Sequence, residues 1–145
     1  MKSFPTPNSV VRTERMGPHF TKYHLSGGQL LHHFKMAEDE HYHDHPFGFR
    51  TAILHGGYVE EVAQVCEDGT LAVAILERLP GTTHEVQAGT IHKLTGLLSG
   101  ECWTLVTPGQ KEREPGFYRA DESGVWHRFW YDKQWTLLAP VVALL

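Results

Sequence analysis

The sequence predicts an all-β protein, a sandwich or barrel of many short strands. Three observations predict it. Short alternating or apolar runs recur roughly every eight to twelve residues. Gly and Pro punctuate them. No segment keeps a helical period for longer than two turns. At 145 residues the chain has the length of about one domain, and no repeat, low-complexity tract or linker divides it. The expectation is one domain over residues 1–145.

The elements follow in order. "TKYHLS" ends at Gly27-Gly28. "QLLHHFKM" alternates, which places Leu30, His32, Phe34 and Met36 on one face and Leu31, His33 and Lys35 on the other. "FKMAEDEH" predicts at most a short helical turn. "FRTAILH" ends at Gly56-Gly57, where His55 is expected to be exposed. "YVEEVAQV" and "TLAVAILERL" flank Asp68-Gly69, a strong hairpin signal. "HEVQAG", "TIHKLTGL", "ECWTLVTPG", "GFYRA", "VWHRFWY" and "QWTLLA" continue the pattern. "PVVALL" is open between helix and strand.

Composition narrows function. The formal charge is −4, which argues against a nucleic-acid groove. The cluster "QKEREPG" is interrupted by glutamates and reads as a solvated turn. Cys66 and Cys102 fit no zinc spacing and point to a reducing compartment. "MKSFPTPNSV" breaks at two prolines and is no signal peptide. The run "TLLAPVVALL" is too short to span a bilayer. A soluble cytoplasmic protein with no membrane partner is expected.

Histidine is the unusual residue, with eleven copies spread from His19 to His127. In "EDEHYHDHPFGF", His41, His43 and His45 alternate. On an extended strand such rings share a face, with successive Cα atoms about 6.5–7 Å apart, which suits two ligands on one metal. Asp44 then points away, and Pro46 fits a strand end. A third ligand must come from elsewhere. His92 in "QAGTIHKL" is the best candidate, and His84 in "PGTTHEV" is a second.

"HDHPFGFRTAILHGGYVEEV", "AGTIHKL" and "CWTLVTPGQKEREPGFY" together resemble the cupin superfamily. More narrowly they resemble small bacterial and phage cupin-like proteins with an HDHP motif. His43 and His45 match the family's HxH pair, Gly56 or Gly57 its closing glycine, and "QAGTIH" its second motif with Gln87 in place of proline. The likeness covers roughly residues 30 to 130. It implies a double-stranded β-helix (jelly-roll) with the site in its open mouth and metal ligands His43, His45 and His92. His41 becomes a rim residue. The family's glutamate ligand should stand at Phe49 or Arg50, and neither ligates a cation. A three-histidine site is therefore expected, without a carboxylate.

The resemblance also implies an aromatic lining from Trp103, Phe117, Tyr118, Trp126, Phe129, Trp130 and Tyr131. It implies a homodimer, with the apolar tail "VVALL" as one contact. Imidazoles suit several divalent transition metals. Fe2+ is favoured, since three-histidine cupins include oxygen-activating enzymes; Zn2+ or Ni2+ would serve an isomerase or hydrolase with Glu85, Glu101 or His84 as base. Arg50, facing inward, would be a catalytic residue that draws an anionic small-molecule substrate. The competing expectation is a non-catalytic ligand-binding cupin or phage accessory protein. Cys102 reads as a buried, inert thiol.

Overall fold

A computed structural model of the chain describes residues 10–142. Thirteen strands form among them and no helix. They are β1 (Val10–Gly17), β2 (Phe20–Leu25), β3 (Leu30–Phe34), β4 (Tyr42–His43), β5 (Phe49–His55), β6 (Tyr58–Val65) and β7 (Leu71–Arg78), followed by β8 (Thr83–Val86), β9 (Ile91–Leu97), β10 (Cys102–Pro108), β11 (Gly116–Asp121), β12 (Gly124–Phe129) and β13 (Thr136–Pro140). They make two antiparallel sheets, ordered β1-β2-β3-β10-β5-β8 and β13-β12-β11-β4-β9-β6-β7. The sheets curl into the half-barrel of an all-β jelly-roll.

Turn chemistry closes the expected hairpin. Gly69 takes a positive φ of 84°, β6 and β7 pair from Tyr58↔Arg78 to Val65↔Leu71, and Asp68 accepts from the Thr70 amide at 3.1 Å. At Gly56-Gly57 both residues have positive φ. A Cβ on Gly56 would collide with the Glu101 carbonyl, so only glycine lets β5 turn so close to β10.

Alternation decides what faces inward. On β3, Leu30, His32 and Phe34 line the cavity between the sheets, as the period-two pattern predicts. Ala37, Ile53, Tyr58, Leu94 and Cys102 form a buried cluster below it. Cys102 is fully buried, and burial pushes its thiol up to about 11, so it is inert as expected. Both cysteines are free.

Three differences from the sequence reading have local causes. β1 was not expected, because "VVRTERMG" lacks a clean apolar alternation; it forms by pairing with β2. Residues 35–41 make no helical turn. Asp39 ties this segment to β9, donating its amide to the Leu94 carbonyl at 2.9 Å and accepting from the Leu94 amide at 2.8 Å, so tertiary pairing takes the groups a helix would need. The chain past Pro140 is neither helix nor strand at Val141 and Val142, whose amides bond to Ser123 and Asp68. The rest of the expected apolar tail lies outside the described residues. No helix among them is long and apolar enough to cross a membrane.

Candidate metal centre

His43 ends β4, and β4 is held between two distant strands. Tyr42 and His43 pair with Tyr118 and Phe117 of β11, and His43 with His92 of β9. Past His43 the chain leaves regular strand but stays extended. The Asp44 amide donates to the Gly116 carbonyl and the His45 amide to the Ala88 carbonyl. Asp44 points away from the histidines, as alternation requires. Its buried carboxylate accepts from the Gly116 amide, the Tyr118 hydroxyl (both 2.7 Å) and Arg113 (3.0 Å). These bonds lock the HDHP segment to β11.

The three imidazoles converge. His43, His45 and His92 each offer a nitrogen, and these lie within 4.8 Å of one another. His45 Nε2 and His92 Nε2 are 3.1 Å apart. Two nitrogens at about 2.1 Å from one ion stand about 3.0–3.4 Å apart when they subtend 90–109°. The spacing and the all-imidazole donor set therefore fit a divalent transition metal. Burial, and then the neighbouring imidazoles, push His43 down to about 4 and His45 down to about 2. Both rings are neutral at pH 7, the form that ligates.

Glu60 was missed by sequence reasoning. Its side chain is 2% exposed. It accepts from His92 Nδ1 at 2.7 Å and from Arg78 Nε at 2.8 Å. Burial alone would raise the Glu60 carboxyl, but the bonds from His92 and Arg78 outweigh it and hold the group below its ordinary value. An ionised carboxylate only accepts, so the proton of neutral His92 is assigned to Nδ1 and the Nε2 lone pair faces the cluster. This carboxylate–histidine arrangement orients metal ligands in general. The signal was the period of β6: Glu60 shares a face with Tyr58 and Val62, and Val62 pairs with His92.

The cluster floors a cavity of about 420 Å³. Phe20, Phe34, Phe49, Leu94, Val106 and Trp130 are among its apolar walls. Phe49, where the family's glutamate was expected, packs edge-on against His45 at 4.9 Å between centroids. Of the expected aromatic lining, Phe117 and Trp130 reach the cavity. Tyr118 is spent on Asp44, and Trp103 stacks on His33 at 3.9 Å.

Arg50 was expected on the cavity side of β5. It does not face inward. Phe49 and Thr51 take the cavity side of β5, so Arg50 takes the other. Its side chain is 63% exposed and pairs with Glu85 at 2.9 Å. Glu101 is likewise outside, bonded to His33. His41 leaves the cluster and packs against Trp135 at 5.0 Å. His84 lies opposite Thr51 on β8; both its ring nitrogens are buried without a partner among the described residues, and it is not in the metal-ligating group. His55 is exposed as expected.

No protein-family model and no curated protein matches the chain. Solved structures do. The hydroxypropylphosphonic acid epoxidase from S. wedmorenis matches with a TM-score of 0.53 and 12% identity, over 74% of this chain and 59% of its own. The CENP-C cupin domain of Drosophila melanogaster matches at 0.50 and 10%, over 72% and 84%. The DMSP lyase DddQ from Ruegeria pomeroyi DSS-3 matches at 0.51 and 18%, over 77% and 58%. The chain thus spans less than two-thirds of the length of the two enzymes. At these identities the likeness is one of fold: this chain has the cupin fold, with a three-histidine cluster lining the cavity between its sheets.

Proposed function

We propose that the chain is a metal-binding cupin, one domain over residues 1–145, that holds a divalent transition ion, Fe(II) by preference, on His43, His45 and His92. We propose further that it oxidises a small molecule in the cavity above them. The observation that carries this reading is the convergence of three imidazoles, two of them 3.1 Å apart, at the floor of an apolar cavity. A bound metal would supply open coordination positions for redox or Lewis-acid chemistry. The chain's own residues supply the rest. Glu60 keeps the Nε2 lone pair of His92 aimed at the site, Asp44 fixes the backbone between His43 and His45, and the phenylalanine walls exclude water.

Of the three bases that hydrolysis or isomerisation could use, two are misplaced, which leaves His84 alone for that chemistry and supports testing oxidation first. Glu85 and Glu101 lie outside the barrel, bonded to Arg50 and His33, where neither reaches a substrate beside the histidines. The epoxidase among the structural neighbours was solved with Fe(II), which supports iron as the first metal to test. A non-catalytic ligand-binding cupin is the reading to beat.

Elemental analysis of untagged protein tests the site. Wild type should retain about one metal ion per chain, and a His43→Ala/His92→Ala variant none. A folded, metal-free wild type overturns the metal reading. Oxygen uptake by the iron-loaded protein against thiols, diketones and small acids then separates oxidase from binder.

The two free cysteines support a cytoplasmic setting. A homodimer through edge strand β7 is supported by its exposed Val73, Ile75 and Leu76. With Ala74 opposite its own copy in an antiparallel pairing, Ala72 meets the partner's Leu76 and Val73 the partner's Ile75, small against large on one face.

A further inference from the structure

The wall contributed by the six-stranded sheet carries a polar row that metal binding does not use. Lys22 on β2 pairs in register with His32 on β3, and His32 with Thr104 on β10. Cross-strand neighbours share a face, with Cβ atoms about 4.5–5.5 Å apart. Lys22, His32 and Thr104 all line the cavity that holds the histidine cluster. His45 responds to both His32 and Lys22, each of which disfavours its protonated form.

Two features set this row apart from ordinary wall. First, Lys22 is the one cationic side chain besides histidine among the described residues of the lining, and it makes no ion pair among them. Its cross-strand neighbour Glu14 bonds His24 at 2.9 Å and lies 3.6 Å from Arg12; the Lys22 charge helps lower the Glu14 carboxyl, but the two form no ion pair. Second, His32 Nε2 is buried with no hydrogen-bond partner among the described residues. Burial holds this ring neutral, down to about 3. An unpaired buried polar atom is a cost the fold carries unless a ligand or water meets it. Beside the pair lies an aromatic stretch of wall. Phe20 and Phe34 stack at 4.4 Å, and both turn to the His32 ring, at 5.0 and 6.0 Å.

We infer that Lys22 and His32 form an anion subsite, so that the cavity takes a small carboxylic acid with an aromatic or apolar body. One carboxylate oxygen meets Lys22 Nζ and the other accepts from His32 Nε2–H. The body lies along Phe20, Phe34 and Phe49, toward the three histidines. The inference rests on the metal-site reading for where such an acid would react, but not for how it is held. It moves the recognition of an anion from Arg50, which lies outside, to Lys22 and His32 on the cavity face of the same sheet.

Binding of phenylacetate and of its neutral isostere phenylacetamide, followed by calorimetry and by the protein's tryptophan fluorescence, tests it. The measurement is made on metal-free and on zinc-loaded protein. In wild type the acid should bind about 10- to 100-fold tighter than the amide, the range of one charge-assisted hydrogen-bonded contact. Lys22→Met should bring the two within about twofold, Lys22→Arg should restore most of the preference, and His32→Gln should weaken the acid with little effect on the amide. An acid preference that survives Lys22→Met in zinc-loaded protein and vanishes without zinc would place the carboxylate on the metal and overturn the inference. Equal binding of acid and amide by wild type, or no binding of the acid at millimolar concentration, would overturn it too. Failure of the protein to take up zinc, with the acid preference intact, would instead count against the metal reading alone.

Discussion

Replacing Glu60 by glutamine isolates the residue on which the geometry of the metal centre depends. The carboxylate accepts two hydrogen bonds, from His92 Nδ1 and Arg78 Nε, with its side chain 2% exposed. Glutamine keeps the shape but has one accepting oxygen. One donor therefore faces an NH₂ group. If that donor is Arg78, its side chain is 25% exposed and turns toward water. If it is His92, the ring must shift its proton to Nε2, where it blocks the lone pair that a metal needs. Losing one hydrogen bond to a charged acceptor costs about 1.5–3 kcal/mol, which corresponds to a drop in Tm of roughly 5–10 °C for a chain of this size. Metal affinity should fall about 10- to 100-fold, the usual effect of removing such a carboxylate. Thermal unfolding of metal-free protein reads the first effect, and zinc titration against a competing chelator reads the second. A folded Glu60→Gln variant that binds zinc within about threefold of wild type would refute the claim that Glu60 sets the tautomer of His92.

Three further outcomes are expected. Sequence alone places the loss of metal near the ordinary imidazole value of about 6.5, but burial pushes His43 down to about 4 and His45 lower still; metal occupancy measured after equilibration should stay flat from pH 8 to about 5.5 and fall near pH 4, and a midpoint at 6.5 would show these rings to be solvated. The same shifts, with His32, have a sign for stability. The unfolded chain takes up protons below about pH 6.5 while these folded rings do not, so their contribution is complete above 6.5 and declines as pH falls toward 4, by up to about 1.4 kcal/mol per pH unit for each ring, as denaturant melts across pH 4–8 would record. Ile75→Lys, at a position 69% exposed on an edge strand, should turn a dimer into a monomer in light scattering without lowering the melting temperature; a wild type that is monomeric at 100 μM (an order-of-magnitude working concentration) would remove β7 as an interface.

Much of the fold was legible because its signals are local. Asp68-Gly69 between two apolar runs needs nothing beyond its own turn chemistry to make the β6–β7 hairpin. The HxHxH alternation likewise puts His43 and His45 within reach of one point, because they are two residues apart. His92 was the best third-ligand candidate from its own stretch, likeness to a family motif pointed to it again, and the register explains it: His43 lies directly across from it. Glu60 was not legible. "YVEEVAQV" offers Glu60 and Glu61 side by side, and only the pairing of β6 with β9 turns one toward His92 and leaves the other to Tyr42. The outward face of Arg50 was not legible for the same reason. Its position in the motif drew attention, but its neighbours Phe49 and Thr51 hold the inward parity.

The sequence by itself determined that this protein is built of short strands, where most of them turn, and which residues share a face. Those are properties of period and turn chemistry within a few residues. Tertiary structure alone decided which face is the inside. It brought β4, β9 and β6 side by side so that three histidines and a carboxylate meet, and set Lys22 and His32 across the cavity from them. The physical reason is that a strand's two faces are equivalent until distant strands pair with it; a shift of one residue in any pairing would exchange them.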